Sequence, residues 1–406
     1  MKKSTSTLSK NSITKKHLLY KFDKKLNKNY NNIVKNIILN LDDTKNSFHS
    51  LSKNFKFNFT IKELKKFKKF NTIVIIGMGG SILGAQAIYS FLNKKIKKEF
   101  YFFDNLDEEK IRHIQEKKKL NKILFIVISK SGNTIETLSN FSYLKIAKKN
   151  SKNIILISEN SNNPLHLLSK KMNLFYIEHK KYIGGRYSVL SEVGMVPASL
   201  MGINIIKLRK NLKSHFKLKK QKFLKESSIK LANILLSNKL RTLIFFNYVP
   251  ELNDFLYWAQ QLIAESLGKR NKGFLPIISP APKDHHSLLQ LYLDGPRDKL
   301  FYIFSTDKKN KKKTNLNIYG KKFNFLNNKK LDQIKLAQKN AFIKILKKKN
   351  IPFREFIIRD FQEDVLGELF SYFILETAIV GKLVNINPFN QPAVEQLKKN
   401  TKRILY

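Results

Sequence analysis

Residues 72–92 read TIVIIGMGGSILGAQAIYSFL, and this stretch decides the fold class. Its β-branched start predicts a buried strand, its glycines predict a turn, and its remaining residues predict a helix. The window approaches the length of a membrane span, but Gly77, Gly79, Ser81 and Gln86 interrupt it. A strand, a glycine turn and a helix together make up one unit of a parallel sheet that helices cover.

The same unit recurs along the chain. In the first half we predict strands over 72–76, 100–103, 122–128, 153–157 and 174–177, with helices over 81–92, 108–118, 134–149 and 164–171. In the second half we predict strands over 241–246, 300–304 and 356–358, with helices over 251–267, 329–349, 364–381 and from 392 onward. The Lys-rich segment 207–222 connects the halves. The pattern predicts two doubly wound α/β domains with parallel sheets.

Composition excludes several functions. The 406 residues contain no Cys, so disulfides, thiol nucleophiles and thiolate metal sites are excluded. The net charge is +48, from 78 basic and 30 acidic residues, but nearly all of the basic residues are Lys. Proteins that read nucleic acids rely on Arg. We therefore interpret the charge as a biased surface and expect no specific nucleic-acid partner. A role in binding polyanions is the alternative.

The first 35 residues are polar and rich in Lys, without the apolar core of a secretory signal. We expect a cytoplasmic protein that does not associate with a membrane.

Two loops follow strands of the first predicted sheet. One contains Gly77, Gly79, Gly80 and Ser81; the other is SKSGNT, from Ser129 to Thr134. Backbone amides and hydroxyl groups at helix N-termini suit phosphate oxygens, and parallel strands bind ligands at their carboxyl ends. Both loops together favour a single phosphate group over a dinucleotide. A tight turn and a plain helix cap are the alternatives.

Glu265 lies on the same helix face as Trp258, Gln261 and Leu262. A carboxylate on an apolar face needs a partner, and one held in apolar surroundings would suit a general base. An ion pair with Lys269 or Arg270 at the helix end is an equally good interpretation.

Two further segments carry reactive side chains. Arg186 lies in the turn GGRYS, where it could bind an anion or simply pack. His285 and His286 are adjacent, which does not suit a shared metal ion on a helix. Proton transfer by one of them is one interpretation, and a surface pair is the other.

Six blocks together resemble the glucose-6-phosphate isomerase family. In order they are IIGMGGSILG, FIVISKSGNTIET, GGRYSVLSEVG, AQQLIAESLGK, DHHSLLQLYLDG and NPFNQPAVEQLK, between about residues 73 and 405. Each block alone is weakly specific, but six in the family's order make a strong match. The first seventy residues lie outside it. Asn133 and Leu267 depart from residues that are common in the family, and Leu267 leaves acceptance of mannose 6-phosphate open.

The resemblance implies a metal-free and cofactor-free aldose–ketose isomerase with two sugar-isomerase-type domains. By this resemblance Glu265 is the base, Arg186 stabilises the enediolate, and His286 and Lys398 open the sugar ring. The residues implied to bind the substrate are Ser81, Ser129, Lys130, Ser131, Thr134, Glu136, Gly185, Gln261 and Gln391. It also implies a homodimer in which His286 comes from the neighbouring subunit.

The implied organisation has four parts. They are an N-terminal polar or helical extension (1–45), a first domain with the phosphate loops (46–206), a second domain with the catalytic Glu (207–385), and a C-terminal helix that completes the site (386–406). A non-catalytic sugar-phosphate-binding regulator is the nearest rival. It would not need Glu265, His286 and Lys398 together.

Overall fold

A computed structural model describes residues 7–18, 23–308, 312–314 and 321–405. Their strands form two five-stranded sheets. The strands are β1 (Thr7–Asn11), β2 (Thr72–Gly77), β3 (Glu99–Phe103), β4 (Ile123–Ile128), β5 (Ile154–Ser158), β6 (Phe175–Glu178), β7 (Thr242–Asn247), β8 (Leu275–Pro280), β9 (Lys299–Thr306) and β10 (Phe353–Ile358).

The described α-helices surround these sheets. They are α1 (Asp23–Leu39), α2 (Ile61–Leu64), α3 (Leu83–Phe91), α4 (Glu108–Lys117), α5 (Ile135–Tyr143), α6 (Pro164–Met172), α7 (Glu192–Leu200), α8 (Ile205–Leu208), α9 (Leu218–Ser237), α10 (Asn253–Leu267), α11 (Leu289–Asp294), α12 (Leu331–Lys348), α13 (Glu363–Leu383) and α14 (Pro392–Leu405). Within the described ranges, no helix is both long enough and apolar enough to cross a bilayer.

The first sheet has the order β3-β2-β4-β5-β6, and every neighbouring pair is parallel. Every residue of β4 and of β5 is buried, because helices cover both faces of the sheet. This burial explains why these strands are continuous apolar runs without polar alternation. The predicted α/β class with parallel sheets is confirmed.

The second sheet has the order β1-β10-β9-β7-β8. Strands β7 to β10 are parallel, whereas β1 joins the edge antiparallel to β10. The sequence predicted neither β1 nor β8. Strand β1 is the polar segment TLSKN, and β8 contains Pro276 and Pro280. Proline weakens a strand prediction but is tolerated at a sheet edge, where both strands lie.

The two sheets share one connectivity. In each, the first parallel strand (β2 or β7) has the second strand on one side and the third on the other, and the fourth strand lies beyond the third. Strand β1 takes the place that β6 has in the first sheet. Helix α3 follows β2 and helix α10 follows β7, and the two helices pack against each other. Positions at the carboxyl edge of one sheet therefore correspond to positions in the other.

Some helix bounds were predicted wrongly. The helix predicted over 134–149 ends at Tyr143, since Lys145 has a left-handed φ of 51° that ends the helix. The segment predicted to connect the halves, 207–222, already contains the start of α9. The Lys-rich run 308–313, which the sequence predicts to be a solvated basic loop, lies partly outside the described residues. The four-part domain organisation remains a prediction.

Candidate active site

The glycine loop after β2 brings three parts of the chain close together. Gly79 has a φ of +51°, and a Cβ there would lie 2.7 Å from Nε2 of Gln261 on α10. A Cβ on Gly80 would lie 2.3 Å from the carbonyl oxygen of Gly185. The glycines are therefore needed so that α10 and the segment containing Arg186 can approach the edge of the first sheet.

Arg186 is buried, with 3% of its surface exposed, and it makes four hydrogen bonds and one ion pair with protein groups. Its Nε donates to Oγ of Ser266 at 2.8 Å, and its Nη2 donates to the carbonyls of Pro388 (2.6 Å) and Asn390 (3.0 Å). Its Nη1 lies 3.0 Å from Oε1 of Gln391 and 3.1 Å from a carboxylate oxygen of Glu265. A cation held in this way has one fixed orientation.

Glu265 is held through both carboxylate oxygens. Arg186 pairs with Oε1, and Nε2 of Gln261, one helical turn earlier, donates to Oε2 at 3.0 Å. The Glu265 side chain remains 21% exposed. Oε1 of Gln261 is buried and has no hydrogen-bond partner among the described residues. A ligand hydroxyl group beside the carboxylate would satisfy this acceptor.

Tyr187 and Ser266 hold Arg186 from behind. The Tyr187 hydroxyl lies 2.9 Å from Oγ of Ser266 and donates to the Pro388 carbonyl at 3.1 Å. Burial raises the pKa of Tyr187, so the phenol stays neutral. We call Arg186, Tyr187, Glu265, Ser266 and Gln391 the buried arginine centre. Neither Tyr187 nor Ser266 was predicted from the sequence to take part in the site, although both lie inside the motifs GGRYS and AESLGK.

Lys269 lies beside this centre, one turn after Glu265. Its Nζ donates to the carbonyls of Ser266 (3.1 Å) and Asn387 (2.6 Å). Partial burial, together with repulsion from Arg186, lowers the pKa of Lys269 to about 8. The alternative interpretation of Glu265, an ion pair with Lys269 or Arg270, is wrong, because Glu265 forms its ion pair with Arg186.

The loop SKSGNT closes on itself after β4. Oγ of Ser129 lies 2.8 Å from Oγ1 of Thr134, and Oγ of Ser131 donates to the Asn133 side chain at 2.6 Å. Gly132 has a φ of +65°, and a Cβ there would overlap the Asn163 side chain. The loop therefore presents clustered hydroxyl groups and the amide end of α5 at one point.

The two loops leave the sheet side by side. Gly77 at the end of β2 is paired with Ile128 at the end of β4, so Ser81 and Ser129 follow neighbouring parallel strands. Lys130 forms an ion pair with Glu159 at 3.5 Å, and Glu136 lies half-buried in the first turn of α5. This edge of the first sheet can receive a phosphate group.

Among the described residues, neither His286 nor Lys398 contacts the buried arginine centre directly, but Lys398 pairs with Glu395, which is hydrogen-bonded to Gln391. His286 is exposed, while the neighbouring Asp284 is buried and accepts from Ser279 (2.7 Å) and Ser287 (2.9 Å). Lys398 lies on α14, 46% exposed, and pairs with Glu395 at 2.9 Å. The adjacent His285 instead packs inward, against Tyr248 and Phe246.

No group of three or more side chains that could hold a metal ion occurs in the described ranges.

The comparisons with known proteins agree with this geometry. The family model described as phosphoglucose isomerase matches residues 35–406. This chain belongs to the phosphoglucose isomerase family. The match includes both loops, the buried arginine centre, His286 and Lys398, and so it covers every residue assigned to the site.

Two archaeal members of the family are similar over most of their length. A probable glucose-6-phosphate isomerase of Methanococcus maripaludis is 37% identical over 83% of this chain and 79% of its own length. The glucose-6-phosphate isomerase of Methanocaldococcus jannaschii is 34% identical over 85% of this chain and 87% of its own length.

Two solved structures share the fold. A hypothetical protein from Thermus thermophilus superposes with a TM-score of 0.80 at 23% identity, covering 95% of each chain. A glucose-6-phosphate isomerase from Chlamydia trachomatis superposes with a TM-score of 0.71 at 20% identity, covering 85% of this chain and 72% of that one.

Proposed function

We propose that this chain interconverts glucose 6-phosphate and fructose 6-phosphate, an aldose–ketose isomerisation of glycolysis and gluconeogenesis. The observation that carries the proposal is the position of Glu265 between Arg186 and Gln261 at the edge of the first sheet. A fixed cation next to a base is what an enediolate intermediate requires. Membership of the phosphoglucose isomerase family supports the choice of substrates.

The phosphate group of the sugar binds the loop from Ser129 to Thr134. Lys130 and Ser131 of this loop take part in the binding, and Ser81 lies close by. Glu136 supports this end of the site. Gly185 leaves room for the substrate beside the glycine loop, because no atom lies within 4 Å of the place where its Cβ would be. Anchoring the phosphate fixes the distance from the loop to C1 and C2 of the open-chain sugar.

The proton moves between C2 and C1. Glu265 removes the C2 proton of the aldose, and the electron pair of that bond forms the double bond of a cis-enediol intermediate, which first carries its negative charge on O1. The O2 proton passes to O1, Glu265 returns its proton to C1, and O2 becomes the ketose carbonyl oxygen. Arg186 stabilises the charge that develops on the enediolate oxygens, and Gln261 and Gln391 bind the sugar hydroxyl groups. The atoms balance without a redox cofactor or a metal ion.

Ring opening precedes this step, and we assign it to His286 and Lys398. The exposed position of His286 fits a residue that acts in the site of a neighbouring subunit, so we propose a homodimer with shared sites. Lys398 lies seven residues after Gln391, which already contacts Arg186. We place the reaction in the cytoplasm, since a doubly charged sugar phosphate does not cross membranes unaided.

A coupled assay tests the function directly. Fructose 6-phosphate is supplied to the purified chain with a chelator present, and glucose 6-phosphate is measured through its oxidation by an added dehydrogenase. We expect turnover that the chelator does not reduce. Saturable binding of fructose 6-phosphate without turnover would favour a non-catalytic sugar-phosphate-binding protein instead. Mannose 6-phosphate, tested in the same way, shows whether the site discriminates at C2.

A further inference from the structure

A second cavity lies at the carboxyl edge of the second sheet, in the position that corresponds to the phosphate loops of the first. It encloses about 480 Å³ and is formed by the ends of β7 and β9, the start of α12 and the end of α3. This volume lies within the range of small-molecule sites. Its wall includes Tyr248 and Val249 after β7, and Ser305 and Thr306 at the end of β9.

The correspondence follows from the shared connectivity of the sheets. Strand β9 neighbours β7 in the second sheet as β4 neighbours β2 in the first. Ser305 and Thr306 therefore stand where Ser129 and Lys130 stand after β4, and Lys308 follows two residues later, in the place of Gly132. The Ser305 hydroxyl makes no hydrogen bond to any described residue, and the Thr306 hydroxyl accepts only the Lys308 backbone amide, at 3.1 Å.

Four lysines line this cavity, and together they exceed its acids. Lys335 and Lys339 lie one turn apart on the same face of α12, while Lys94 follows α3 and Lys308 follows β9. Lys339 is buried and lies 3.4 Å from Glu355, and Lys308 lies over the Phe361 ring. Like charges one helical turn apart repel each other, and Glu355 compensates the charge of Lys339 but not that of Lys335.

Among the described side chains, Lys94 and Lys335 make no ion pair, which leaves two cations free at the cavity.

Two acids also face the cavity, Glu251 and Asp332. One oxygen of Asp332 is buried and has no hydrogen-bond partner in the described part of the chain. A ligand that consists of an anion alone would leave this oxygen without a hydrogen bond. A ligand that also carries a hydroxyl group would donate a hydrogen bond to it. The cavity thus has lysines and hydroxyl groups at one end and an unpaired hydrogen-bond acceptor at the other. This arrangement suits a molecule that carries both a phosphate group and hydroxyl groups.

We propose that this second cavity binds the phosphate group of a hydroxylated phosphate monoester, separately from the site around Glu265. The phosphate lies between Lys308 and Lys335, within reach of the hydroxyl groups of Ser305 and Thr306. A hydroxyl group of the ligand donates to Asp332. The proposal depends on the internal repeat and not on the isomerase reaction, so either one can fail without the other.

Equilibrium dialysis of the full chain tests the proposal. Radiolabelled inorganic phosphate and radiolabelled glycerol 3-phosphate are the two probes, and the bound equivalents per chain are counted. We expect two equivalents of each probe on the wild type, one at the loop from Ser129 to Thr134 and one at the second cavity. The double variant Lys308→Gln/Lys335→Gln removes two charge-assisted contacts, and we expect it to bind one equivalent, with affinity at the cavity reduced about tenfold or more.

The matched control is Lys24→Gln/Lys28→Gln, two exposed lysines one turn apart on α1. It removes the same charge and should keep two equivalents. Tighter binding of glycerol 3-phosphate than of inorganic phosphate at the cavity supports the proposed ester, whereas equal binding of the two probes would contradict the contact with Asp332. One equivalent on the wild type that the cavity variant retains, or equal losses in the cavity variant and the control, would overturn the proposal. Isomerase activity of the cavity variant should equal that of the wild type.

Discussion

Arg186 and Lys398, the two cations predicted for the reaction, lie in opposite surroundings. Arg186 is buried and donates four hydrogen bonds, two to side-chain oxygens and two to backbone carbonyls, in addition to its ion pair with Glu265. Lys398 is 46% exposed and has one ion pair, with Glu395 on the same helix. A group that only stabilises charge is best fixed, while groups that take up and release protons need access to water. His286 shares the exposed position of Lys398.

The largest effect is expected from Glu265→Gln. The amide keeps the shape of the side chain and a contact to Gln261 but cannot accept the C2 proton. We expect turnover to fall by about 10²- to 10⁴-fold, with binding of fructose 6-phosphate retained. Coupled kinetics and a binding titration measure the two quantities.

The matched control is Glu226→Gln, which changes a partly exposed carboxylate on α9 that pairs only with Lys230 among the described residues. Its activity should equal that of the wild type. Near-normal turnover in Glu265→Gln would show that another group is the base.

A mixing experiment tests whether His286 acts across subunits. Glu265→Gln and His286→Ala are each expected to be nearly inactive alone. After dissociation and reassembly at equal amounts, half of the dimers are mixed, and each contains one intact site if the sites are shared. We expect about a quarter of the wild-type activity to return. If activity does not return although mixed dimers form, His286 acts within its own chain.

Ser266→Ala tests how far the fixed orientation of Arg186 matters. The variant removes the acceptor of Arg186 Nε and a partner of the Tyr187 hydroxyl, while Glu265 itself is unchanged. Losing a hydrogen bond to a charged group predicts a decrease in kcat of about tenfold with a smaller change in KM. Steady-state kinetics separate the two.

Ser228→Ala is the comparison variant for this test. Its hydroxyl is equally buried but has no hydrogen-bond partner in the described structure. A general loss of stability would affect both variants alike, and an equal drop in kcat would argue against a positioning role for Ser266.

The smallest effect concerns Lys269, whose pKa of about 8 lies close to neutrality. Below its pKa of about 8 it adds positive charge beside Arg186, and above it that charge is lost. We expect activity to decline about two- to fivefold as the pH rises through 8, because the enediolate is then less stabilised. Rate–pH profiles of Lys269→Met should lack this decline, whereas Lys272→Met should keep it. An unchanged profile in Lys269→Met would assign the decline to another group.

The sequence predicted the parts of the fold that depend on local pattern. Strands β2, β4 and β5 are nearly continuous apolar runs, and burial on both faces makes such runs visible in the sequence. Strands β1 and β8 depend instead on pairing with a distant edge, which neither TLSKN nor a segment with two prolines reveals.

The candidate site, like the fold, has residues that the sequence predicted and contacts that it did not. Glu265, Gln261 and Arg186 were identified from motifs, but the partners that fix Arg186 include the backbone carbonyls of Pro388 and Asn390, about two hundred residues away. Any residue type supplies a carbonyl, so sequence carries no signal for this contact. The role of Gly80 was likewise unforeseen: its missing side chain makes room for Gly185 and not only for a phosphate.

The full set of contacts around Glu265 has a consequence for timing. Both oxygens of this carboxylate have protein partners, one Arg186 and the other Gln261. A sugar hydroxyl group can donate to the unpaired Oε1 of Gln261 while Nε2 keeps its contact with Glu265, but a sugar oxygen on Nη1 of Arg186 competes with the carboxylate. We expect the carboxylate to accept the C2 proton most readily once sugar hydroxyl groups replace it on Arg186. A phosphate compound that lacks those hydroxyl groups would bind the loop from Ser129 to Thr134 and leave the contact between Arg186 and Glu265 in place.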